Sequence, residues 1–218
     1  MFPYSESFEG NLGAWKQATG DDLNWTINSG GTPSTGTGPS SAIDGTSYIY
    51  VEASGNGTGY PTKRAILNSP CLDLSSLSTA KFGFQYHMFG ATIGTLTVEA
   101  RTGNAGNWVS LFSKTGAQGS DWNAVIIDLD AYAGNTSVQL RINTVTGSNY
   151  TGDVAIDAIQ IGANIDGPGS TDCVGNISNF PSTESFETTL GDWSQETSVD
   201  DLDWTRRFGG TPSSRNRT

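Results

Sequence analysis

Cysteine, histidine and positive charge are all scarce in this chain. Its 218 residues hold two cysteines and one histidine, and 11 Lys+Arg stand against 22 Asp+Glu, for a formal net charge of -11. An acid excess of this size repels phosphate backbones and anionic lipid headgroups, so neither nucleic acid nor direct membrane insertion is expected. Two cysteines cannot make a disulfide-dense scaffold. The single histidine is not part of a His-Glu-x-x-His pair, and the chain lacks a Gly-x-Ser-x-Gly elbow, a Cys-x-x-Cys pair and a Walker loop, which leaves little for nucleophilic or metal-assisted hydrolysis. Long apolar runs are also missing: none approaches the ~18 residues of a membrane helix, and Met1 leads directly into Phe2-Pro3-Tyr4 with neither a basic nor an apolar leader region.

What the chain does have is six Trp, seven Tyr, nine Phe and 28 Gly. So many aromatics imply a packed core, and so much glycine implies turn-rich loops. Period-two alternation recurs at Tyr48–Glu52, Lys81–Tyr86, Thr95–Ala100, Val138–Ile142 and Asp153–Ile161, each stretch bounded by Gly, Asn, Ser or Pro. A sustained i, i+3, i+4, i+7 stripe is absent, so helices are expected only as single turns, around Leu74–Leu77. The pattern predicts an all-β fold, an antiparallel β-sandwich.

An internal repeat sets the domain limits. Residues 2–15 read FPYSESFEGNLGAW and residues 180–193 read FPSTESFETTLGDW; further on, Asp21–Thr26 matches Asp200–Thr205 and Gly30–Ser34 matches Gly209–Ser213. A first domain is expected over 1–162, a Gly/Pro/Asp-rich linker over 163–179, and the truncated start of a second repeat over 180–218. About 39 residues are too few to bury a sandwich core, so the fragment is expected to be disordered or loosely docked. Ser214–Thr218 departs from the matching Thr35–Pro39, and a frameshift is expected to account for the departure.

These residues taken together resemble the MAM domain, the extracellular module of meprins, neuropilins and receptor tyrosine phosphatases, in its bacterial tandem-repeat variety. The resemblance is carried by Ser7-Phe8-Glu9 with Trp15, Asp21–Thr26, Thr37-Gly38-Pro39, Tyr48–Ser54, Leu67–Pro70, Phe84–Gly90, Gly119–Trp122 and Gly152–Asp157, and it covers nearly all of residues 2–161. It implies a jelly-roll sandwich that is non-catalytic, serves adhesion or recognition, and often binds a cation. Animal members usually carry four cysteines, whereas Glu6 and Gly13 stand at the corresponding early positions here. Cys71 and Cys173 are open to two readings: an intradomain pair, or two free thiols, each the unpaired half of its own repeat's bridge.

Several residues are candidates for a site. Asp157 lies in an alternating strand, where Ala155, Ile159 and Ile161 would share its face; a carboxylate buried there needs an ion or donors. Glu9, following Phe8 in the amino-terminal strand, and Asp44, in a loop, complete a set of hard oxygen ligands for a structural Ca2+, which the resemblance also implies. Turn-capping carboxylates are the competing reading. His87 is expected to face solvent or make one structural hydrogen bond, and the Asp21/Asp22 and Asp128/Asp130 pairs to be solvated loop charges. Trp15 and Trp25 read as core. Trp108, Tyr60 and Tyr150, all in Gly/Asn/Thr-rich loops, are the candidate ligand contacts.

The functional expectation is an extracellular, secreted or cell-surface recognition module with a protein or glycan ligand, attached to other domains of a longer parent chain. Two alternatives stay open: a carbohydrate-binding accessory module of a secreted peptidase or polysaccharide-degrading enzyme, and a structural spacer repeat.

Overall fold

In a computed structural model, residues 2–163 and Ile165 are described; the chain divides into two units, Met1–Ser170 and Thr171–Thr218, and all described residues belong to the first. The expected linker and second-repeat fragment, and with them Cys173, lie outside the described residues. Eleven strands follow one another: β1 (Tyr4–Glu6), β2 (Lys16–Gln17), β3 (Thr26–Asn28), β4 (Tyr48–Val51), β5 (Arg64–Asn68), β6 (Lys81–His87), β7 (Thr95–Thr102), β8 (Val109–Thr115), β9 (Asn123–Asp128), β10 (Val138–Val145) and β11 (Val154–Gly162). They form two antiparallel sheets. One has the order β3-β4-β11-β6-β9, with β1 also pairing with β11; the other has the order β2-β5-β10-β7-β8. On β11, β4 holds Val154–Ile156 and β1 holds Ile159–Ile161.

The sandwich forms because alternate side chains of both sheets are apolar and can be buried only against each other. On β7, Leu96, Val98 and Ala100 are fully buried, while Thr95, Thr97, Glu99 and Arg101 between them are not. On β10, Val138, Leu140 and Ile142 do the same. The core is aromatic at its centre: Phe82 and Phe84 stand 5.1 Å apart, and Phe112 meets Phe84 edge-on at 5.7 Å and Tyr86 at 5.5 Å. Each buried ring or branched aliphatic contributes roughly 1.5–3 kcal/mol by leaving water. Trp15 and Trp25 belong to this core, each 2% exposed, as the sequence predicts.

A β-bulge on β11 overturns one expectation. The register with β6 slips between Asp157 and Gln160, and Ala158 takes a φ of 52°. One extra residue changes the parity of everything after it. Ile159 and Ile161 therefore point into the core with Ile156, whereas Ala155 packs on the outer side of the six-stranded sheet with Tyr48 and Tyr50. Asp157 fixes the bulge itself, its Oδ1 accepting the Ala158 N–H at 2.7 Å.

The five alternating segments are strands, with ends within three residues of those expected. Single-turn 3-10 helices occur at Gly55–Gly57 and Asp130–Tyr132, while Leu74–Leu77 closes only a hydrogen-bonded turn. β1 stops at Glu6, and Phe8 has a φ of 57°, so Glu9 lies beyond the amino-terminal strand rather than in it.

Candidate functional site

The two outer faces of the sandwich differ. Over the six-stranded sheet, part of the loop between β3 and β4 is tied down. The Asp157 Oδ2 accepts the N–H groups of Ile43 and Asp44 at 3.1 Å each, and Trp122 donates its indole N–H to the Ser41 carbonyl at 3.0 Å. Ala42 and Trp122 pack against Tyr48, Tyr50 and Ala155 beneath. Glu9 holds the far end of the same loop, accepting Thr46 N–H and Ser47 N–H at 2.8 Å and the Thr46 hydroxyl at 2.6 Å. Gly45 in this stretch has a φ of 66°, which favours glycine, and a Cβ there would require the Glu9 carboxylate to shift.

The structure thus brings Glu9, Asp44 and Asp157 to one loop, Asp44 through its backbone with its own side chain exposed. Burial raises the Asp157 carboxyl to about 6 against the pull of its amide donors, and the nearby Asp44 charge adds to the rise. The Thr46 hydroxyl, followed by the Ser47 and Thr46 amides, lowers Glu9. Among the described residues, no three Asp, Glu, His or Cys side chains are grouped to hold a metal ion. Donor chemistry suits a hard cation, but in this structure the oxygens are turned to backbone amides. Asp153, also fully buried, is raised to about 6 by burial and by the nearby Glu52 charge; its Oδ1 accepts the Ala53 N–H at 2.8 Å, and that amide and the Thr32 hydroxyl beside the carboxyl pull against the rise.

The remaining expected acids cap backbone amides, and Asp22, Asp128 and Asp130 are exposed to solvent. Asp21 accepts Ile66 N–H, Asp22 accepts Arg64 N–H, Asp128 accepts Asp130 N–H and Asp130 accepts Ala80 N–H. His87 is 1% exposed, not solvent-facing. Its Nε2–H donates to the Ser120 carbonyl at 2.9 Å, and burial depresses its pKa, partly offset by that carbonyl and by Asp121. Cys71 is a free, exposed thiol 3.3 Å from the Ser137 hydroxyl.

The outer face of the five-stranded sheet carries a connected set of polar side chains instead of a tethered loop. Register places Arg141 of β10 between Asn68 of β5 and Glu99 of β7, with Gln139 opposite Arg101 one step along. Arg141 Nε and one terminal nitrogen donate to the two Glu99 oxygens at 2.7 and 3.0 Å, and the Asn143 amide donates to the same carboxylate at 3.2 Å. Arg64 Nε donates to the Asn143 carbonyl oxygen at 3.0 Å. Arg101 donates to Gln139 at 2.7 and 3.2 Å and to the Asn104 carbonyl at 2.8 Å. Burial pushes the Glu99 carboxyl up, but the hydrogen bond and charge of Arg141, with Asn143, outweigh it and leave the carboxyl lowered and ionised.

Trp108, from the β7–β8 hairpin, joins this array: the guanidinium carbons of Arg101 and Arg141 stand 4.4 and 4.3 Å from its ring centroid, and it is half-buried. The structure does not bring Tyr60 and Tyr150 to it. Thr62 N–H donates to the Thr146 carbonyl, which joins their two loops at the opposite end of β10 from Val138, whose register partner Thr102 leads into the Trp108 hairpin. Tyr150 is 44% exposed and Tyr60 half-buried. Arg64, Glu99, Arg101, Gln139, Arg141 and Asn143 were not anticipated from sequence. The available signal was polar alternation on two strands, which does not reveal that the strands are neighbours.

Comparison with known proteins agrees with this architecture. The profile of the family described as MAM domain, meprin/A5/mu, matches residues 7–173. Neuropilin-1a of Danio rerio is 35% identical over 155 residues, which is 68% of this chain and 16% of that protein. MAM domain-containing glycosylphosphatidylinositol anchor protein 2 of Mus musculus is 31% identical over 168 residues, 70% of this chain and 17% of that protein. The chain thus spans about a sixth of the length of these curated relatives. Among solved structures, the K1 cleaved adhesin domain of Lys-gingipain from Porphyromonas gingivalis W83 is similar, with a TM-score of 0.53 and 27% identity over 75% of this chain and 99% of that one. The K3 cleaved adhesin domain of the same protein, 21% identical with a TM-score of 0.52 over 73% of this chain and 96% of that one, shares the fold. Sequence motifs, two-sheet architecture and these matches converge: the chain belongs to the MAM domain family.

Proposed function

We propose that this chain is a non-catalytic, extracellular recognition module that binds a glycan on the outer face of the five-stranded sheet. The observation that carries the reading is the array around Trp108. Sugars are bound by an aromatic ring for the apolar face of a pyranose together with fixed donors and acceptors for its hydroxyls, and a site pre-ordered in this way loses little side-chain entropy on binding. Here two guanidiniums lie within 4.4 Å of the ring centroid, Asn143 is hydrogen-bonded to Glu99, and Gln139 is held by Arg101. The similarity to a bacterial adhesin domain supports a binding role. The buried His87 and the amide-capping carboxylates support a non-catalytic one. Attachment to a longer secreted or surface chain, whether adhesive or as the accessory of an enzyme, belongs to the same proposal.

Ca2+ is proposed as a structural partner of the 42–47 loop, with Glu9, Asp44 and Asp157 as its carboxylates; what supports it is the full burial of Asp157 and the tethering of this one loop by both Asp157 and Glu9. When bound, the ion would supply positive charge where burial now raises the Asp157 carboxyl.

The test is affinity electrophoresis of the full chain through a panel of polysaccharides, once with calcium and once with chelator. Retardation by at least one glycan, lost in Trp108→Ala, is expected. Absence of retardation in either condition, or retardation unchanged in Trp108→Ala, overturns the glycan reading.

A further inference from the structure

Positive charge is not spread evenly over this acidic domain. Residues 2–163 contain seven Lys and Arg. All three arginines, Arg64, Arg101 and Arg141, stand on the outer face of the five-stranded sheet, with Lys16 opposite Asn68 in the same row as Arg141 and Lys63 immediately before Arg64. The acids near this face are already engaged. Glu99 is held by Arg141, Asp22 stands 3.8 Å from Lys63 and accepts Arg64 N–H, and Asp21 accepts Ile66 N–H. Lys16, Arg64 and Arg101 form no ion pair among the described residues, and Lys16 and Arg64 are exposed.

The register gives these charges a direction. Arg64 stands opposite Val145, Arg141 four residues back along β10, and Arg101 opposite Gln139 on the next strand. Strand rise and strand spacing put about 22 Å between the Arg64 and Arg101 backbones along a diagonal across β5, β10 and β7. That length accommodates several consecutive sugar units. The buried acids Asp153 and Asp157 belong to the other sheet's outer side. Packed sheets lie about 10 Å apart, so a ligand on this face meets the arginines at contact distance and those acids only from across the sandwich.

Resting on the glycan reading above, we infer that the ligand is an acidic polysaccharide, one bearing carboxylates or sulfates along its chain, which runs along the Arg64–Arg141–Arg101 diagonal with one ring against Trp108. Arginine suits this role because its planar fork accepts a carboxylate or sulfate in two parallel hydrogen bonds while its flat face still lies on an indole. A neutral glycan would leave Lys16 without a counter-charge and Arg64 with only a share of Glu99, which Arg141 already clasps. It would also gain no advantage from the one face of an acidic domain where the arginines are collected.

The experiment is biolayer interferometry of the full chain on immobilised polygalacturonate, alginate, hyaluronate and heparin, beside neutral xylan, galactan and carboxyl-reduced polygalacturonate. Wild type is compared with Arg64→Ala, Lys16→Ala and Trp108→Ala, and thermal melts confirm that each variant is folded. The expected result is binding to at least one acidic polymer and not to its neutral counterparts, weakened about tenfold by Arg64→Ala, or 1.4 kcal/mol, and abolished in 0.5 M NaCl. Binding to neutral polymers with equal or greater affinity overturns the acidic-ligand inference and leaves the glycan-binding function standing. Binding to acidic polymers that neither Arg64→Ala nor Lys16→Ala weakens also overturns the inference. Failure to bind any polymer overturns both.

Discussion

Arg141 is engaged on two sides at once: two of its nitrogens clasp the Glu99 carboxylate, and its guanidinium carbon lies 4.3 Å from the centroid of Trp108. The pair is mostly withdrawn from water, with side-chain exposures of 17% for Arg141 and 14% for Glu99. Removing either partner leaves the other charge poorly solvated, so Glu99→Ala is expected to destabilise the domain by about 2 kcal/mol. Urea unfolding of Glu99→Ala, Arg141→Ala and the double variant gives the coupling. Additive single effects would show that the clasp does not hold the face together.

Stability should depend on pH through three buried groups. Asp153 and Asp157 have folded values of about 6, above the ordinary 3.8, so their contribution is full below 3.8 and is lost as pH rises through about 6. His87 acts oppositely: held neutral and depressed below 6.5, it contributes above that value and loses its contribution as pH falls. Two gains against one loss predict a melting temperature that rises from pH 7.5 to pH 5. Below about pH 4 the lowered carboxyls Glu9, Asp73 and Glu99 reverse the trend. Thermal melts between pH 4 and 8 check this, and a monotonic fall from pH 7.5 downward would contradict it.

The two aspartates differ in how they respond to an amide isostere. Asp153 accepts a single backbone amide, Ala53 N–H on Oδ1, with the adaptable Thr32 hydroxyl beside the carboxyl, so Asp153→Asn keeps the amide bond, removes a buried charge and is expected to be at least as stable as wild type at pH 7.5 with a flatter pH profile. Asp157 accepts N–H groups on both oxygens, so the amino group of Asp157→Asn would face a donor, and the variant should melt several degrees lower. Equal melting temperatures for the two variants would refute the assignment.

Deleting Ala158 tests the bulge. Without that residue, Ile159 and Ile161 would turn out of the core, and the chain is expected not to fold cooperatively. Ala158→Gly relieves the φ of 52° and is expected to change stability by less than about 1 kcal/mol in either direction. A cooperative wild-type-like transition in the deletion variant would show that the register can slip without penalty.

For calcium, a melt in 2 mM CaCl2 beside one in chelator is expected to show a rise of several degrees that is lost in Glu9→Gln. An unchanged transition would mean that the backbone amides alone satisfy these carboxylates.

Much of the fold was readable because alternation over five or more residues implies a half-buried strand. Thr95–Ala100 and Val138–Ile142 are cases where the pattern and the strand coincide, whereas Tyr48–Val51 is buried on both faces. Very short strands were not readable: β2 is two residues and β3 three, formed only because β5 and β4 offer an edge, and two or three residues carry no period. The Ala158 bulge was invisible for a related reason, since nothing in Asp157-Ala158-Ile159 marks an extra residue until the β6 register is known. Trp108 was found from its turn-rich setting, but its partners Arg101 and Arg141 stand 40 positions apart in the sequence, on strands that only the sheet order joins. Proximity of that kind belongs to topology.

The most direct test of the ligand face is a 15N NMR titration of the full chain with oligogalacturonate. The account predicts shifts concentrated on the Trp108 indole N–H, the Arg101 and Arg141 Nε–H groups and the amides of β5, β7 and β10. Shifts confined to the Tyr60 and Tyr150 loops or to the 42–47 loop would contradict it.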